Sequence, residues 1–193
     1  MANGIEARRR AELVAVGATL ARLGLIRGRE GNLSCRLGEG VVLITPRGAD
    51  KGRLSTGDLV HCHVDQSPPP RASSETLAHL AAYRRCPGVG AIVHAHPRAI
   101  LSLAARALAP DPNLLDEGRA LVPRIELVAP LPPGSGELAS ACAEALSRAP
   151  VVIVRGHGVF ASGGDIWQAL ERVQVVEVLA AMALTDSTTG AEI

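Results

Sequence analysis

The sequence predicts a single-domain α/β protein, a three-layer α/β/α sandwich around a mixed and largely antiparallel central sheet. Segments with the apolar spacing of helices alternate with short β-branched and aliphatic runs, as expected when helices cover a sheet. Only Gly38-Glu39-Gly40 separates the first two of these runs, which indicates a hairpin turn and an antiparallel pair. The chain of 193 residues can bury a core, and no repeat or linker divides it, so residues 1–193 are expected to form one domain.

Six segments are predicted as strands, because each is short, mostly β-branched or aliphatic, and bounded by glycine, proline or polar residues. In chain order they are Leu33–Leu37, Val41–Thr45, Leu59–Val64, Ala91–His94, Ile125–Val128 and Val151–Val154. Five segments are predicted as helices, because apolar residues recur at helical spacing, as at Leu13, Val16 and Leu20 in the first. These helices are Ile5–Leu23, Ser74–Arg85, Arg98–Leu108, Gly136–Arg148 and Asp165–Thr185.

The composition argues against several classes of partner. Hydrophobic residues make up 47% and charged residues 20%, as in an ordinary soluble globular protein. Only Tyr83, Phe160 and Trp167 are aromatic, which argues against the base-stacking surfaces of single-stranded nucleic-acid binders. The net charge of +1 gives no reason to expect a polyanionic partner, and no apolar stretch approaches the length of a membrane span. The four cysteines form no CxxC pair, which favours reduced thiols and a cytoplasmic location.

The segment Ala91–Pro97 is the most informative part of the sequence. Residues two apart on a strand face the same side, so His94 and His96 are expected to project together at the strand end. His157 likewise follows a buried run, Val151–Val154, and lies between two glycines that allow a tight turn. Three histidines with an open fourth position are the usual arrangement of a catalytic zinc. The pattern predicts that these histidines bind Zn²⁺ or another divalent metal such as Mn²⁺ or Co²⁺.

A second pair, His61 and His63, has the same spacing. It lies in mid-strand, Asp65 and the proline-rich loop Ser67–Pro70 follow it, and no third histidine has comparable surroundings. A half-exposed polar strand face is the simpler interpretation there. The surroundings, and not the spacing, favour the first pair.

Two serines, Ser73 and Ser74, precede Glu75 and an amphipathic run, which indicates a helix N-terminus. Taken alone, this is a plain N-cap with an acidic residue that complements the helix dipole. The functional alternative is a phosphate site, since free N–H groups and two hydroxyls suit an anion, with Glu75 beside it as a base. His79 lies four residues on, on the same helical face, where a hydrogen-bonded core histidine is the simpler interpretation.

Five motifs, taken in order, resemble those of the class II aldolase and adducin head-domain family, and within it the L-fuculose-1-phosphate aldolases. The motifs are Gly31-Asn32-Leu33-Ser34, Ile44-Thr45-Pro46-Arg47-Gly48, Ser73-Ser74-Glu75, His94-Ala95-His96-Pro97 and Gly156-His157-Gly158. The resemblance covers nearly the whole chain. It is highly specific for the family and much less specific for the substrate.

The resemblance implies a homotetramer of fourfold cyclic symmetry, active sites at subunit boundaries, and a phosphorylated ketose as substrate. The implied metal ligands are His94, His96 and His157, the acid/base residue is Glu75, and the phosphate-binding positions are Asn32, Gly48, Ser73 and Ser74. In such a site the metal acts as a Lewis acid towards the charge left when the carbon–carbon bond breaks. Glu75 would move the proton at the carbon next to the carbonyl.

The sequence departs from those aldolases in three places. Arg47 stands where they carry a threonine beside the phosphate; a guanidinium can bind phosphate there or select a carboxylate, so Arg47 is predicted to bind the substrate. They use a tyrosine of the neighbouring subunit as proton donor, whereas the only tyrosine here, Tyr83, matches a structural position. The chain ends at Ile193, soon after its last helix, so the family's C-terminal tail is expected to be short or absent.

Three lyase or isomerase activities are implied by the resemblance. Retro-aldol cleavage to dihydroxyacetone phosphate and an aldehyde is the first interpretation. Dehydration, as in the methylthioribulose-1-phosphate dehydratases, is the second, and epimerisation, as in the L-ribulose-5-phosphate 4-epimerases, is the third. A non-catalytic adducin-like interaction module is the alternative outside enzymes, and the three histidines with Glu75 argue against it.

Overall fold

A central β-sheet organises the structure, a computed structural model that describes residues 2–38 and 40–189. Its strands are β1 (Asn32–Gly38), β2 (Val41–Ile44), β3 (Val60–His63), β4 (Ala91–Ala95), β5 (Ile125–Val128), β6 (Val151–Val154) and β7 (Gly158–Gly163). The helices of the described residues are α1 (Ala2–Arg22), α2 (Thr76–Arg85), α3 (Arg98–Ala104), α4 (Asp116–Leu121), α5 (Gly136–Leu146) and α6 (Ile166–Thr189). Short 3₁₀ turns occur at Lys51–Arg53 and Pro112–Leu114.

The seven strands lie in the order β3-β2-β1-β4-β7-β6-β5. Every neighbouring pair is antiparallel except β5 and β6, which are parallel. The predicted mixed and largely antiparallel sheet is therefore confirmed. Glu39, in the predicted hairpin turn, lies outside the described residues, although β1 and β2 on either side of it do pair antiparallel.

Helices cover both faces of the sheet and enclose two apolar cores. Side chains of α1, α3 and α6 pack against one face, and those of α2 and α5 against the other. Because side chains alternate along a strand, Leu33 and Val93 enter the α1/α3/α6 core, whereas Asn32, Ser34 and Ile92 face α2. His94 follows Ile92 by two residues and shares its face. This alternation places polar side chains beneath α2.

Two elements were not predicted from the sequence. Strand β7 begins one residue after His157, and glycines at both of its ends interrupt the apolar pattern. Helix α4 has six residues, too few for a helical period to emerge. Two predicted helices also end early: α3 stops at Ala104, before the left-handed residue Ala107 (φ 59°), and α5 stops at Leu146.

Glu177 of α6 fixes the start of α3, the helix that directly follows the His94–Pro97 segment. The residue at its N-cap is Pro97, which makes no side-chain capping bond. The Glu177 carboxylate instead accepts hydrogen bonds from the backbone N–H groups of Ala99 and Ile100, each at 3.0 Å. A carboxylate at a helix N-terminus both satisfies free donors and complements the helix dipole. The chain leaving the histidine segment is thus held to the long helix α6.

Hydropathy along the described helices reveals no segment that is both long and apolar enough to cross a membrane.

Candidate active site

Strand ends deliver the three predicted metal-binding histidines to one place. His94 is the next-to-last residue of β4, and His96 follows that strand, with its backbone N–H donating to the Leu25 carbonyl at 3.2 Å. His157 lies in the tight turn between β6 and β7, where its backbone N–H donates to the Val154 carbonyl at 3.1 Å. One ligand atom from each histidine lies within 4.8 Å of the others. The structure therefore brings together the residues that the sequence grouped.

The hydrogen bonding of these rings suits a divalent metal. His94 Nδ1 lies 3.0 Å from the Val159 carbonyl oxygen, which can only accept, so Nδ1 carries a proton and Nε2 is the nitrogen left for a metal. His94 Nε2 in turn lies 2.9 Å from His96 Nε2. Burial, followed by the neighbouring imidazoles, lowers the pKa of His96 to about 3, so its ring is neutral at pH 7. Three imidazoles whose nitrogens converge form a donor set that fits zinc and similar ions.

Two glycines make room for this cluster. A Cβ at Gly158 would lie 2.5 Å from His96 Cδ2 and 2.8 Å from His94 Cε1, so any larger residue would displace the rings. Gly31 has a φ of +67°, and a Cβ there would lie 2.4 Å from the His94 carbonyl oxygen. Close backbone approach and a left-handed conformation together require glycine at Gly31.

Glu75 places a buried carboxylate directly against the histidines. Its Oε2 lies 3.0 Å from His94 Nε2 and accepts a hydrogen bond from Asn32 Nδ2 at 2.8 Å, while its Oε1 lies 2.6 Å from His157 Nε2. Burial alone raises the pKa of Glu75, but His94 and His157 outweigh it and hold that pKa below its ordinary value. The residue is therefore an ionised acceptor, the form that a general base requires.

Glu75 occupies the N-cap position of α2, which the sequence had assigned to the two serines, but it does not cap the helix. The helix begins at Thr76 and not at Ser74, so Glu75 is the N-cap residue, yet its side chain makes no capping bond. The Ser73 hydroxyl accepts a long hydrogen bond of 3.4 Å from the Glu75 backbone N–H. The carboxylate is thus turned away from its own helix and towards the histidine cluster.

A cavity of about 280 Å³ opens beside this cluster and is the candidate substrate site. The residues that line it are Arg29, Glu30, Gly31, Asn32, Gly48, Lys51, Ser73, Ser74, Glu75, His96, Pro133 and His157. The predicted phosphate-binding residues Asn32, Gly48, Ser73 and Ser74 are all among them. His94 is fully buried behind the cavity and does not line it.

Arg47 stands apart from the other predicted site residues. Its side chain is exposed and does not line the cavity, although its backbone N–H donates to the Arg71 carbonyl at 2.9 Å. That bond and the bridge between Pro46 and Ala72 join the loop of Gly48 to the loop of the two serines. The nearby Asp50 carboxylate lies 3.8 Å from Arg53 Nε and accepts a hydrogen bond from the Gly52 N–H.

Lys51 is a cavity residue that sequence reasoning missed. Its side chain is buried, and Nζ donates to the carbonyl oxygens of Arg29 at 2.7 Å and Ala49 at 2.8 Å, which ties together two loops at the cavity. Burial lowers the pKa of Lys51, although Asp50 and Glu75 oppose this. In the sequence, a lysine between Asp50 and Gly52 looks like any exposed turn residue, so no signal marks it.

The competing pair, His61 and His63, belongs to no metal-binding group among the described residues. His61 is half-exposed, and its Nε2 lies 3.0 Å from Glu6 Oε1 on α1. His63 Nδ1 lies 3.3 Å from the Asp65 backbone N–H. The simpler interpretation of this strand face, as polar surface, agrees with these contacts.

Comparison with known proteins agrees with the fold. Residues 11–184 match the family described as Class II Aldolase and Adducin N-terminal domain. The chain is 33% identical to a methylthioribulose-1-phosphate dehydratase of Acidiphilium cryptum, over 92% of this chain and 90% of that protein. It is 30% identical to a 3,4-dihydroxyphthalate decarboxylase of Terrabacter sp., over 98% of this chain and 85% of that protein.

A solved structure of a similar protein has the same fold. The L-fuculose-1-phosphate aldolase of Thermus thermophilus superposes with a TM-score of 0.89, at 33% identity, over 97% of this chain and 98% of that one. Family match, sequence identity and fold thus agree, and the chain belongs to the class II aldolase and adducin family.

Proposed function

We propose that this protein is a metal-dependent lyase that dehydrates a phosphorylated ketose. The observation that carries the proposal is the placement of Tyr83, the only tyrosine of the chain. Tyr83 is 1% exposed, and its hydroxyl lies 2.8 Å from the Ser34 hydroxyl inside the α2 face of the sheet. It cannot serve as a proton donor in a neighbouring subunit's site, which is the role that the aldolases of the family give to a tyrosine.

Dehydration can be completed with a single proton-transferring group, whereas the aldolases that the chain resembles use a tyrosine in addition to the carboxylate. A base removes the proton next to the carbonyl, a carbon–carbon double bond forms, and the neighbouring hydroxyl leaves as water. The proton that the base took can be returned to the departing hydroxyl, so one carboxylate can serve both steps. Glu75 is such a carboxylate, buried at the edge of the cavity. The dehydratase of Acidiphilium cryptum, at 33% identity, supports this choice.

The other site residues have roles in the same proposal. A divalent metal held by His94, His96 and His157 would polarise the substrate carbonyl as a Lewis acid. Gly48, Ser73 and Ser74 would hold the phosphate near the N-terminus of α2, where backbone N–H groups favour an anion. Asn32 lines the same cavity and gives one amide proton to Glu75, which leaves the second for the phosphate.

We also propose the homotetramer, with each site completed at a subunit boundary. The cavity is bordered by the exposed residues Arg29 and Ser74, so a neighbouring chain can approach it there. The residue that a neighbour would contribute cannot be a tyrosine, because Tyr83 is enclosed in the core of its own chain.

Retro-aldol cleavage is the second candidate, favoured by the superposition on the Thermus thermophilus aldolase. It requires a proton donor other than tyrosine.

Product analysis separates the candidates: the metal-loaded protein is incubated with methylthioribulose 1-phosphate and with L-fuculose 1-phosphate, with and without chelator. We expect loss of one water from the first, abolished by chelator. Two carbonyl products from either substrate would establish an aldolase, and no turnover by fully loaded protein would favour the adducin-like module.

The metal site predicts the metal content of variants. Protein purified without chelator should contain about one divalent metal per chain, and replacing His94, His96 or His157 with alanine should remove it. His61→Ala and His63→Ala are matched controls that keep the metal. Elemental analysis measures both sets, and full metal content in all three site variants would rule out this site.

Glu75→Gln tests the acid/base role. The amide keeps the size of the side chain and part of its hydrogen bonding but cannot accept a proton. We expect the metal content and the thermal midpoint to stay close to those of the unaltered protein, while kcat falls by about 10²-fold or more. Steady-state kinetics on the phosphorylated ketose that the protein converts provides the measurement, and near-normal turnover would return Glu75 to a structural role.

Arg47 is proposed to bind the anionic group of the substrate by moving its exposed guanidinium over the cavity. A charge-assisted contact should contribute about 1.5–3 kcal/mol, or roughly 10- to 150-fold in kcat/KM. Arg47→Ala and Arg47→Thr are compared. Recovery by threonine would indicate a phosphate contact, and failure of threonine would indicate an acid-bearing substrate. Unchanged kcat/KM in both variants would show that Arg47 does not touch the substrate.

A further inference from the structure

Five buried polar side chains form a continuous row beneath α2, which we call the polar seam. Glu75, His79 and Tyr83 follow one another at four-residue intervals along the start and one face of α2, and Asn32 and Ser34 lie two apart on β1. All five are less than a tenth exposed. The seam crosses the apolar core between the sheet and α2, and it ends at the catalytic carboxylate.

The distances connect the seam without a gap. Asn32 Nδ2 lies 2.8 Å from Glu75 Oε2, and Asn32 Oδ1 lies 2.5 Å from His79 Nε2. His79 Nδ1 lies 2.7 Å from Ser34 Oγ, which lies 2.8 Å from the Tyr83 hydroxyl. Each member therefore contacts the next, and Ser34 uses its single Oγ for both of its neighbours.

The chemistry of the groups fixes the direction of every bond. A carboxylate accepts, so Asn32 turns its NH₂ group to Glu75 and its carbonyl oxygen to His79. That oxygen also accepts, so His79 carries its proton on Nε2 and has a bare Nδ1. The one proton of Ser34 then goes to Nδ1, and Tyr83 donates to Ser34. Four donors point the same way, from Tyr83 to Glu75.

Burying the polar groups of the seam on folding costs free energy that burying apolar side chains would not. A buried polar group left without a partner destabilises the folded protein, so the network is favourable only when it is complete. Burial, followed by nearby His94, lowers the pKa of His79 to about 3, although Glu75 opposes this, so the ring stays neutral in its fixed tautomer. Phe160 lies between His79 and the metal-binding ring, since it stacks on His94 at 4.0 Å and meets His79 edge-on at 5.9 Å.

We propose that His79 is a positioning residue for catalysis, which fixes the Asn32 amide and through it the orientation of the Glu75 carboxylate. If the amide turned over, its oxygen would face Oε2 and repel it, and the carboxylate would move from the histidine cluster. The inference rests on the proposed acid/base role of Glu75. The competing view is that the seam only satisfies polar groups in the core.

The first test needs no substrate. Zinc-loaded protein with ¹⁵N-labelled histidine is studied by long-range ¹H–¹⁵N NMR, and the His79 signals are assigned by their loss in His79→Gln. We expect the proton on Nε2 and a bare Nδ1. A proton on Nδ1, or rapid averaging between the two, would overturn the inference whatever the enzyme's substrate proves to be.

The second test compares two amides in place of His79. The glutamine amide lies near the position of Nε2 and can still donate to Asn32, whereas the shorter asparagine amide lies near Nδ1 and reaches only Ser34. We expect His79→Asn to lower kcat by about 10- to 100-fold with KM changed less than about threefold, and His79→Gln to recover most of the loss. Metal content should be equal in both.

A purely structural role would produce a different pattern. Both variants would then lose stability and activity alike, and equal kcat values would overturn the inference. Ser162→Ala is the matched control, because it removes a buried hydroxyl that donates to the Pro150 carbonyl and takes no part in the hydrogen bonds of the seam. It should lower the unfolding midpoint without changing kcat. No turnover by the unaltered protein, together with the Nε2 tautomer, would refute the proposed substrate and leave the seam's orientation supported.

Discussion

The candidate site depends on one constraint, the burial of an ionised carboxylate against the imidazoles of His94 and His157. A charge removed from water is costly unless it is paired and hydrogen-bonded. Glu75 meets this requirement through His94, His157 and Asn32. Position 158 must be glycine, because a Cβ there would clash with the rings of His94 and His96. The carbonyl oxygen of Val159 in β7 fixes the proton of His94 on Nδ1. Residues from several neighbouring strands therefore meet at this one site.

Proteins related to this chain carry different activities on one fold. Relatives of this chain include a dehydratase, a decarboxylase and an aldolase. In a dehydration and in a retro-aldol cleavage, negative charge develops next to a carbonyl, so a metal and one carboxylate suit both reactions. They differ in where protons go afterwards, and that depends on groups around the cluster. Here the tyrosine is enclosed in the core, which restricts the proton-transferring groups that this chain can offer.

Features set by local periodicity can be predicted from the sequence, whereas features that depend on long-range contacts cannot. The grouping of His94, His96 and His157 could be predicted, because residues two apart on a strand face the same side and each of these histidines lies at or just after the end of an apolar run. Strand β7 was missed because it needs β4 and β6 beside it to stabilise a run interrupted by glycines. Lys51 was missed because its burial comes from Arg29 and Ala49, which only the folded loops bring near. The seam joins residues more than forty positions apart, and His79 alone looks like an ordinary core histidine.

The helix caps give a last indication of what the site is for. Helix α5 is capped by Ser135, whose hydroxyl accepts from the Leu138 N–H at 3.0 Å, and α3 is capped across the core by Glu177. Helix α2 has no side-chain cap, although its N-cap residue is a glutamate. A missing cap typically costs about 1 kcal/mol. The chain accepts this cost where the helix N-terminus borders the cavity, and a bound phosphate would offset it by taking the place of the cap. The turning of Glu75 towards the histidines and the availability of α2 for an anion are therefore two results of a single side-chain orientation.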